Sequence, residues 1–196
     1  VEKLEGICFI LIFAVEKSSI VNRKIVNIIM NREQLFEQIK QKKTFLCVGL
    51  DTDIKKIPEH LLNEEDPIFA FNKAIIDEIC DVVPAIKPQA AYYEMYGHYG
   101  IRTLEKTIRY AKLNGMFVMT DGKRNDIGAT MTAYATAHLG ETAVGSASVA
   151  AFGADALTVN GYLGTDGIAP LLEICEKKDK GIFVLVKTSN KSSGEL

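Results

Sequence analysis

The sequence predicts an α/β protein in which the strands of a parallel sheet alternate with helices, and three observations support this fold class. Short apolar runs of strand length recur along the chain, at residues 45–50, 82–87, 116–120, 156–160 and 182–187. The longer segments between them carry apolar residues at helical spacing. The runs are almost continuously apolar, as in strands that are covered on both faces. The pattern therefore indicates one domain of repeated strand–helix units.

Several helix ends can be recognised in the segments between these runs. Asp66 followed by Pro67 predicts an N-cap and a first turn, and Asn114-Gly115 predicts the end of the next helix. Asn31 and Gln34 have the spacing of a capping box at the start of the first helix.

Two architectures suit strand–helix units of this length. A doubly wound sheet could be complete with five strands, whereas a closed eight-stranded barrel takes about 250 residues. No G-x-G-x-x-G motif follows the first strand, which removes the usual dinucleotide-binding interpretation. The glycines at 161, 164 and 167 are more typical of a strand-to-helix turn than of a phosphate-binding loop.

Composition excludes some function classes. The 23 basic and 25 acidic residues nearly balance, which argues against a nucleic-acid binder. The nine-residue apolar run at 7–15 is too short for a membrane span. The scattered cysteines predict reduced thiols in a cytoplasmic protein, and neither they nor the isolated histidines have metal-ligand spacing. The histidines are expected to be ordinary surface or satisfied residues.

The first 29 residues are predicted to be an upstream extension outside the fold. Met30 directly precedes the capping residue Asn31, so it suits the first residue of the native chain. The predicted domain covers residues 30–196.

Charged residues follow three of the predicted strands. Asp51 follows the first, Lys87 ends the second, and Asp121 and Lys123 follow the third. Because parallel strands bring their carboxyl ends to one edge, we expect two carboxylates and two ammonium groups to gather there. Taken singly, each could be a solvated loop charge. Asp126 could equally be a helix N-cap, and Arg124 a surface charge.

The sequence resembles the orotidine 5′-phosphate decarboxylase family, in the branch with a long segment after the third strand. The resemblance covers about residues 30–196 and is carried in order by "VGLDTD", "AIKPQAAYYE", "TDGKRNDIGAT", "ADALTVNGYLGTDGI" and "VLVKTSNKSSGEL". It implies a (β/α)₈ TIM barrel, of which about five βα units are present. It also implies conversion of orotidine 5′-monophosphate to UMP and CO₂ in pyrimidine biosynthesis, with neither metal nor organic cofactor.

The resemblance assigns roles to the residues at the strand ends. Lys123 is expected to be the proton donor, and Asp121 is expected to lie beside the departing carboxylate, held by Lys87 and Lys123. Asp51 and Lys87 are expected to reach the ribose hydroxyls of the substrate.

Further roles follow from the same resemblance. Asp126, counted among the catalytic residues, and Thr130 are expected to cross to the active site of a partner subunit, which implies a homodimer. Thr188 and Ser189 are expected to face the pyrimidine edge. The family's phosphate-binding region would lie beyond residue 196, so the chain is expected to be a fragment.

Two other interpretations remain open. One is a Mg²⁺-dependent sugar-phosphate decarboxylase or aldolase of the same suprafamily, although Lys87 stands where such proteins carry an acidic metal ligand. The other is an inactive fragment that keeps the motif but lacks the phosphate-binding region.

Overall fold

The computed structural model describes residues 8–13 and 30–195. None of the helices in this part of the chain is long and apolar enough to cross a membrane. Two short 3₁₀ turns, Ile54–Lys56 and Glu59–Leu61, precede the second helix. The strands and helices, in chain order, are β1 (Cys8–Phe13), α1 (Arg32–Lys42), β2 (Cys47–Leu50), α2 (Pro67–Ile79), β3 (Ala85–Pro88), α3 (Ala91–Glu94), α4 (Gly97–Leu113), β4 (Phe117–Arg124), α5 (Gly128–Leu139), β5 (Thr142–Val144), β6 (Ala147–Val149), β7 (Ala156–Asn160), α6 (Thr165–Lys178) and β8 (Gly181–Lys187).

The order of the strands decides between the two predicted architectures. Strands β2, β3, β4, β7 and β8 are neighbours in that order, and every pair among them is parallel. Each crossover therefore moves the chain one place in the same direction, whereas a doubly wound sheet reverses at a switch point. This is the winding of a βα barrel, with five of its units present, as predicted from the resemblance.

Two further pairings complete the sheets. Strand β1 lies antiparallel to β8, with Phe13 opposite Gly181. Strands β5 and β6 form a separate antiparallel hairpin after α5. Of the predicted extension at 1–29, the structure describes only 8–13, which are hydrogen-bonded to the sheet edge; the other positions lie outside the described residues, and the extension stays a prediction.

The predicted helix ends are confirmed. Asn31 accepts a hydrogen bond from the Gln34 amide and Gln34 returns one to the Asn31 amide, both at 3.0 Å. Asp66 caps α2 by accepting from the Phe69 amide at 3.1 Å, and Asn114 is the C-cap of α4. These side chains satisfy backbone groups that a helix end leaves unpaired.

The strand boundaries differ from the predicted ones in an informative way. The first and second predicted strands begin too early, since Phe45 and Val82 precede β2 and β3 and are mostly exposed. The third runs longer than predicted, because β4 continues past Thr120 to Arg124. The apolar period ends at Thr120, so hydrophobicity alone could not detect this polar extension.

The two faces of the sheet carry different side chains. The helix-covered face holds the larger apolar clusters, including Ile86, Val118 and Leu157. The opposite face, which would line a barrel, has a smaller apolar cluster towards the amino ends of the strands, made of Met30, Ala85, Phe117, Met119 and Ala156 with Leu35, Cys47 and Phe183 packed against it. Because side chains alternate along a strand, Lys87 and Asp121 follow these residues on the same inner face.

Cys47, Cys80 and Cys175 are free thiols. Burial raises the pKa of Cys47 to about 11 and that of Cys175 to about 12. Both thiols are therefore protonated at neutral pH, as expected of packed rather than reactive cysteines.

A buried charge cluster closes the amino end of the inner face. The Asp155 carboxylate, fully buried, accepts from the backbone amides of Met30 at 3.3 Å and Val118 at 3.1 Å. It also pairs with Lys112 at 2.9 Å and Lys180 at 3.1 Å. Burial lowers the pKa of Lys180 to about 8, although Asp155 opposes the shift. This cluster ties the start of α1 to β4 and β7.

We predict that Asp155→Asn lowers the free energy of unfolding by roughly 3–5 kcal/mol, because it removes the counter-charge of the buried Lys180, which must then stay charged in a buried position or give up its proton. Adding Lys180→Met should recover part of that loss. Urea unfolding of the chain and both variants measures this. No recovery in the double variant would contradict the assignment.

His138 is a buried residue that the sequence did not distinguish from His60 and His98. Its ring stacks on Phe152 with 4.8 Å between ring centroids. Its Nδ1 atom is buried and has no hydrogen-bond partner among the described residues. Burial lowers the pKa of His138 to about 4, and the nearby charge of Arg124 acts in the same direction.

We predict that the chain loses stability as the pH falls from about 6.5 to about 4, because the unfolded state binds a proton at this histidine before the folded state does. The contribution of His138 is about 3 kcal/mol. His138→Phe should flatten this part of the stability–pH curve, measured by urea unfolding between these pH values. The exposed His60 offers the matched control, His60→Gln, and equal slopes in both variants would refute the assignment.

Candidate active site

The centre of the candidate site is the carboxylate of Asp121, on the inner face near the carboxyl end of β4. Its side chain is only 3% exposed. Oδ1 accepts from Lys123 Nζ at 2.7 Å and from Thr158 Oγ1 at 2.7 Å. Oδ2 accepts from Lys87 Nζ at 2.8 Å and from Gln89 Nε2 at 3.0 Å. Four donors from three neighbouring strand ends therefore converge on one buried carboxylate.

A bulge in β4 places Lys123 beside Asp121. Thr120 pairs with Leu157, but the next paired residue, Arg124, lies opposite Val159. Four steps along β4 thus match two steps along β7. In a regular strand Asp121 and Lys123, two positions apart, would lie on the same face. Here both residues lie within the bulge, and Lys123 Nζ is 2.7 Å from Asp121 Oδ1.

The backbone of Lys123 is held in an unusual conformation. Its φ of 46° is in the left-handed region, which a residue with a long side chain rarely adopts. The Lys123 amide donates to Thr158 Oγ1 at 2.9 Å, while that hydroxyl donates to Asp121. Thr158 therefore joins the backbone of Lys123 to the carboxylate that holds its ammonium group.

The cluster carries more positive than negative charge. Burial raises the pKa of Asp121, but hydrogen bonds from Lys123, Lys87 and Thr158 outweigh it, so the pKa lies below the usual value of an aspartate. Lys123 and Lys87 keep 35% and 24% of their side chains exposed. Two ammonium groups thus share one ionised carboxylate and face an accessible side, where a negatively charged ligand is favoured.

Asp51 lies at the same end of the sheet but outside this cluster. It follows β2, whose Gly49 is opposite Lys87 on β3. Its side chain is exposed and makes no ion pair or hydrogen bond within residues 8–13 and 30–195. The structure therefore brings together Lys87, Asp121 and Lys123 of the four predicted charges and leaves the Asp51 carboxylate free beside them.

The other predicted site residues follow β4 and β8. The Asp126 carboxylate accepts from the Ile127 amide at 2.8 Å, and Ile127 rather than Asp126 is the N-cap of α5. Thr130 is exposed on α5, and Ser189 is exposed after β8. Thr188 hydrogen-bonds to Asn190. Among the described residues, none of the four predicted residues is hydrogen-bonded to Asp121 or its lysines.

Sequence reasoning missed Gln89 and Thr158. Gln89 lies two positions after Lys87, and Thr158, a polar residue within an apolar strand, lies two positions after Ala156. Both reference residues, Lys87 and Ala156, are on the inner face. The alternation of side chains along a strand could therefore have identified Gln89 and Thr158.

Fold and site together define a βα-barrel protein with a lysine–aspartate–lysine cluster at the carboxyl ends of its strands, where proteins of this architecture keep their chemistry. Residues 44–196 match the family model described as "Orotidine 5′-phosphate decarboxylase / HUMPS family". The chain belongs to this family.

Comparisons with individual relatives support the same family assignment. The chain is 49% identical over 169 residues to the orotidine 5′-phosphate decarboxylase of Parabacteroides distasonis, covering 85% of this chain and 56% of the relative. It is 41% identical over 176 residues to that of Caldicellulosiruptor saccharolyticus, covering 84% and 58%. The solved structure of Leishmania donovani OMP decarboxylase matches with a TM-score of 0.65 at 32% identity, covering 83% of this chain and 57% of that one. The chain thus spans a little over half the length of these relatives.

We predict that Thr158→Val lowers the free energy of unfolding by about 1–3 kcal/mol, because the Lys123 amide loses its acceptor and Asp121 loses a donor. The pKa of Asp121 should rise in the same variant. Urea unfolding and a carboxyl ¹³C titration measure the two effects. Thr132→Val, which removes an exposed helix hydroxyl, is the control; equal effects in both variants would contradict the prediction.

Proposed function

We propose that this site decarboxylates orotidine 5′-monophosphate to UMP and CO₂, as a carboxy-lyase of pyrimidine biosynthesis. The observation that carries the proposal is the contact of Lys123 and Lys87 with one buried carboxylate, at 2.7 and 2.8 Å. Membership of a family that includes orotidine 5′-phosphate decarboxylases supports it.

Decarboxylation suits this arrangement chemically. When the bond between C6 and the carboxyl carbon breaks, CO₂ leaves and the electron pair stays on C6, where the ring offers it no easy delocalisation. A fixed ammonium group in a partly enclosed site stabilises such charge and can then protonate the carbon. Lys123 is the proposed donor: its Nζ gives a proton to C6 and regains one from water.

Asp121 and Lys87 prepare the donor. With its lowered pKa, Asp121 stays ionised at neutral pH and holds the Lys123 ammonium in one orientation. In the proposed complex it lies beside the departing carboxylate. Lys87 and the free carboxylate of Asp51 are proposed to bind the ribose hydroxyls, a role for which an unpaired, exposed carboxylate is suited.

The remaining assignments rest on the family resemblance. We propose a cytoplasmic homodimer in which Asp126 and Thr130 reach the partner's site, with Asp126 contributing to catalysis there. Thr188 and Ser189 are proposed to meet the pyrimidine edge. Thr130 lies on α5, which follows β4, and Thr188 and Ser189 directly follow β8, which supports placement at the carboxyl end of the sheet.

The geometry disfavours the Mg²⁺-dependent alternative. Both oxygens of Asp121 already accept hydrogen bonds from ammonium groups, and Lys87 brings positive charge to the position where a metal ligand would be needed. Activity unchanged by EDTA would agree with the decarboxylase proposal, and restoration by added Mg²⁺ after EDTA treatment would support the alternative.

We predict that Lys123→Ala lowers kcat for orotidine 5′-monophosphate by about 10³-fold or more, because the variant lacks both the charge stabilisation and the proton donor. Formation of UMP by the chain and the variant measures this. Lys177→Ala, on the exposed side of α6, is the control and should leave kcat unchanged. If the unaltered chain binds UMP but shows no turnover, it is a non-catalytic binding protein and the proposal fails.

A further inference from the structure

We infer that Arg124, held by Glu94 and Tyr134, is a positioning residue that keeps Lys123 against Asp121. The inference rests on the proposed function, since it concerns the same site. The sequence suggested no role for Arg124 beyond that of a surface charge, yet only 22% of its side chain is exposed.

The bulge that carries Lys123 needs support from outside itself. Between Thr120 and Arg124 the strand leaves its regular pairing with β7, and Lys123 has a positive φ within that stretch. A left-handed conformation is unfavourable for an L-residue with a side chain. Such a conformation persists only where its surroundings hold it in place.

Arg124 is where the strand regains its register, and its side chain packs back over the bulge. Arg124 pairs with Val159, so it ends the irregular stretch. A Cβ atom added at Gly122 would lie 3.3 Å from Arg124 Nε and 3.3 Å from Leu157 Cδ1. The arginine stem and Leu157 thus confine the backbone immediately before Lys123.

Two partners, one on α3 and one on α5, hold the guanidinium group. Arg124 forms an ion pair with Glu94, the last residue of α3. Its guanidinium carbon also lies 5.4 Å from the centre of the Tyr134 ring on α5, which is cation–π distance. The planar guanidinium can make both contacts at once, which an ammonium group does less well.

The ion pair connects the two strand ends that supply the lysines. Only Gln89 and Ala90 separate α3 from β3, the strand that carries Lys87, and the Ala90 amide donates to the Asp121 carbonyl at 3.1 Å. Glu94 therefore fixes Arg124 to the same short segment that presents Lys87. Through this contact, the positions of Lys87 and Lys123 relative to Asp121 become coupled.

The test compares Arg124→Met, Glu94→Gln and the double variant in the full chain. Arg109→Met is the matched control, because Arg109 pairs at 3.5 Å with Glu105 on the exposed side of α4. Two readouts are used: kcat and KM for orotidine 5′-monophosphate, and the ¹³C NMR titration of dimethylated Lys123, assigned with Lys123→Arg.

We expect Arg124→Met to lower kcat by about 10–100-fold with little change in KM, since small misplacements of a catalytic group have effects of this size. The Lys123 titration should shift in this variant and in Glu94→Gln. Their effects should be less than additive in the double variant, because both break one contact. Arg124→Lys should restore kcat in part, and Arg109→Met should change neither readout.

A Lys123 titration unchanged in Arg124→Met and Glu94→Gln would overturn the inference, even if both variants were less stable. If Arg124→Met does not fold, Glu94→Gln decides, because it leaves the arginine in place. An unaltered chain with no turnover would refute the proposed function alone, since the titration still tests whether Arg124 positions Lys123.

Discussion

The site depends on the pairing of the ionised Asp121 carboxylate with its four hydrogen-bond donors. A carboxylate with 3% exposure is costly to bury unless each oxygen is paired, and here two ammonium groups, an amide and a hydroxyl supply that pairing. The donors come from β4, from β7, and from β3 and the residue that follows it. They converge only because these strands are parallel neighbours that end at one edge of the sheet, so the fold is a precondition of the charge cluster.

The chain contains a second carboxylate with two lysines, and the difference between the two clusters is instructive. Asp155 is fully buried, accepts from two backbone amides, and pairs with Lys180, which is itself 4% exposed. That cluster is closed and holds α1 against the sheet. Around Asp121, by contrast, the lysines keep an accessible side. Similar charges therefore serve packing at the amino ends of the strands and, in the proposed function, chemistry at the carboxyl ends.

The bulge in β4 places a strained backbone conformation within the charge cluster. A regular strand could also place Lys123 on the inner face; in the bulge, the Lys123 amide donates to Thr158 while the ammonium group contacts Asp121. The conformation is unfavourable for a lysine, and contacts from β7 and from the side chain of Arg124 surround it. Rigid support of a strained segment is common at functional sites, because it removes the need for reorganisation during the reaction.

The sequence by itself determined the alternation of strands and helices, the helix caps at Asn31 and Asp66, and the residues Lys87, Asp121 and Lys123 that meet at the site. Each of these follows from local periodicity or from a short motif. Periodicity left the winding of the sheet open, and only the family resemblance predicted it. The bulge and the contacts of Thr158, Gln89, Glu94 and Arg124 were decided only by tertiary structure. Residues 37 positions apart, such as Asp121 and Thr158, meet through pairing of β4 with β7. Local sequence patterns carry no information about such a pairing, because it depends on how the whole sheet packs.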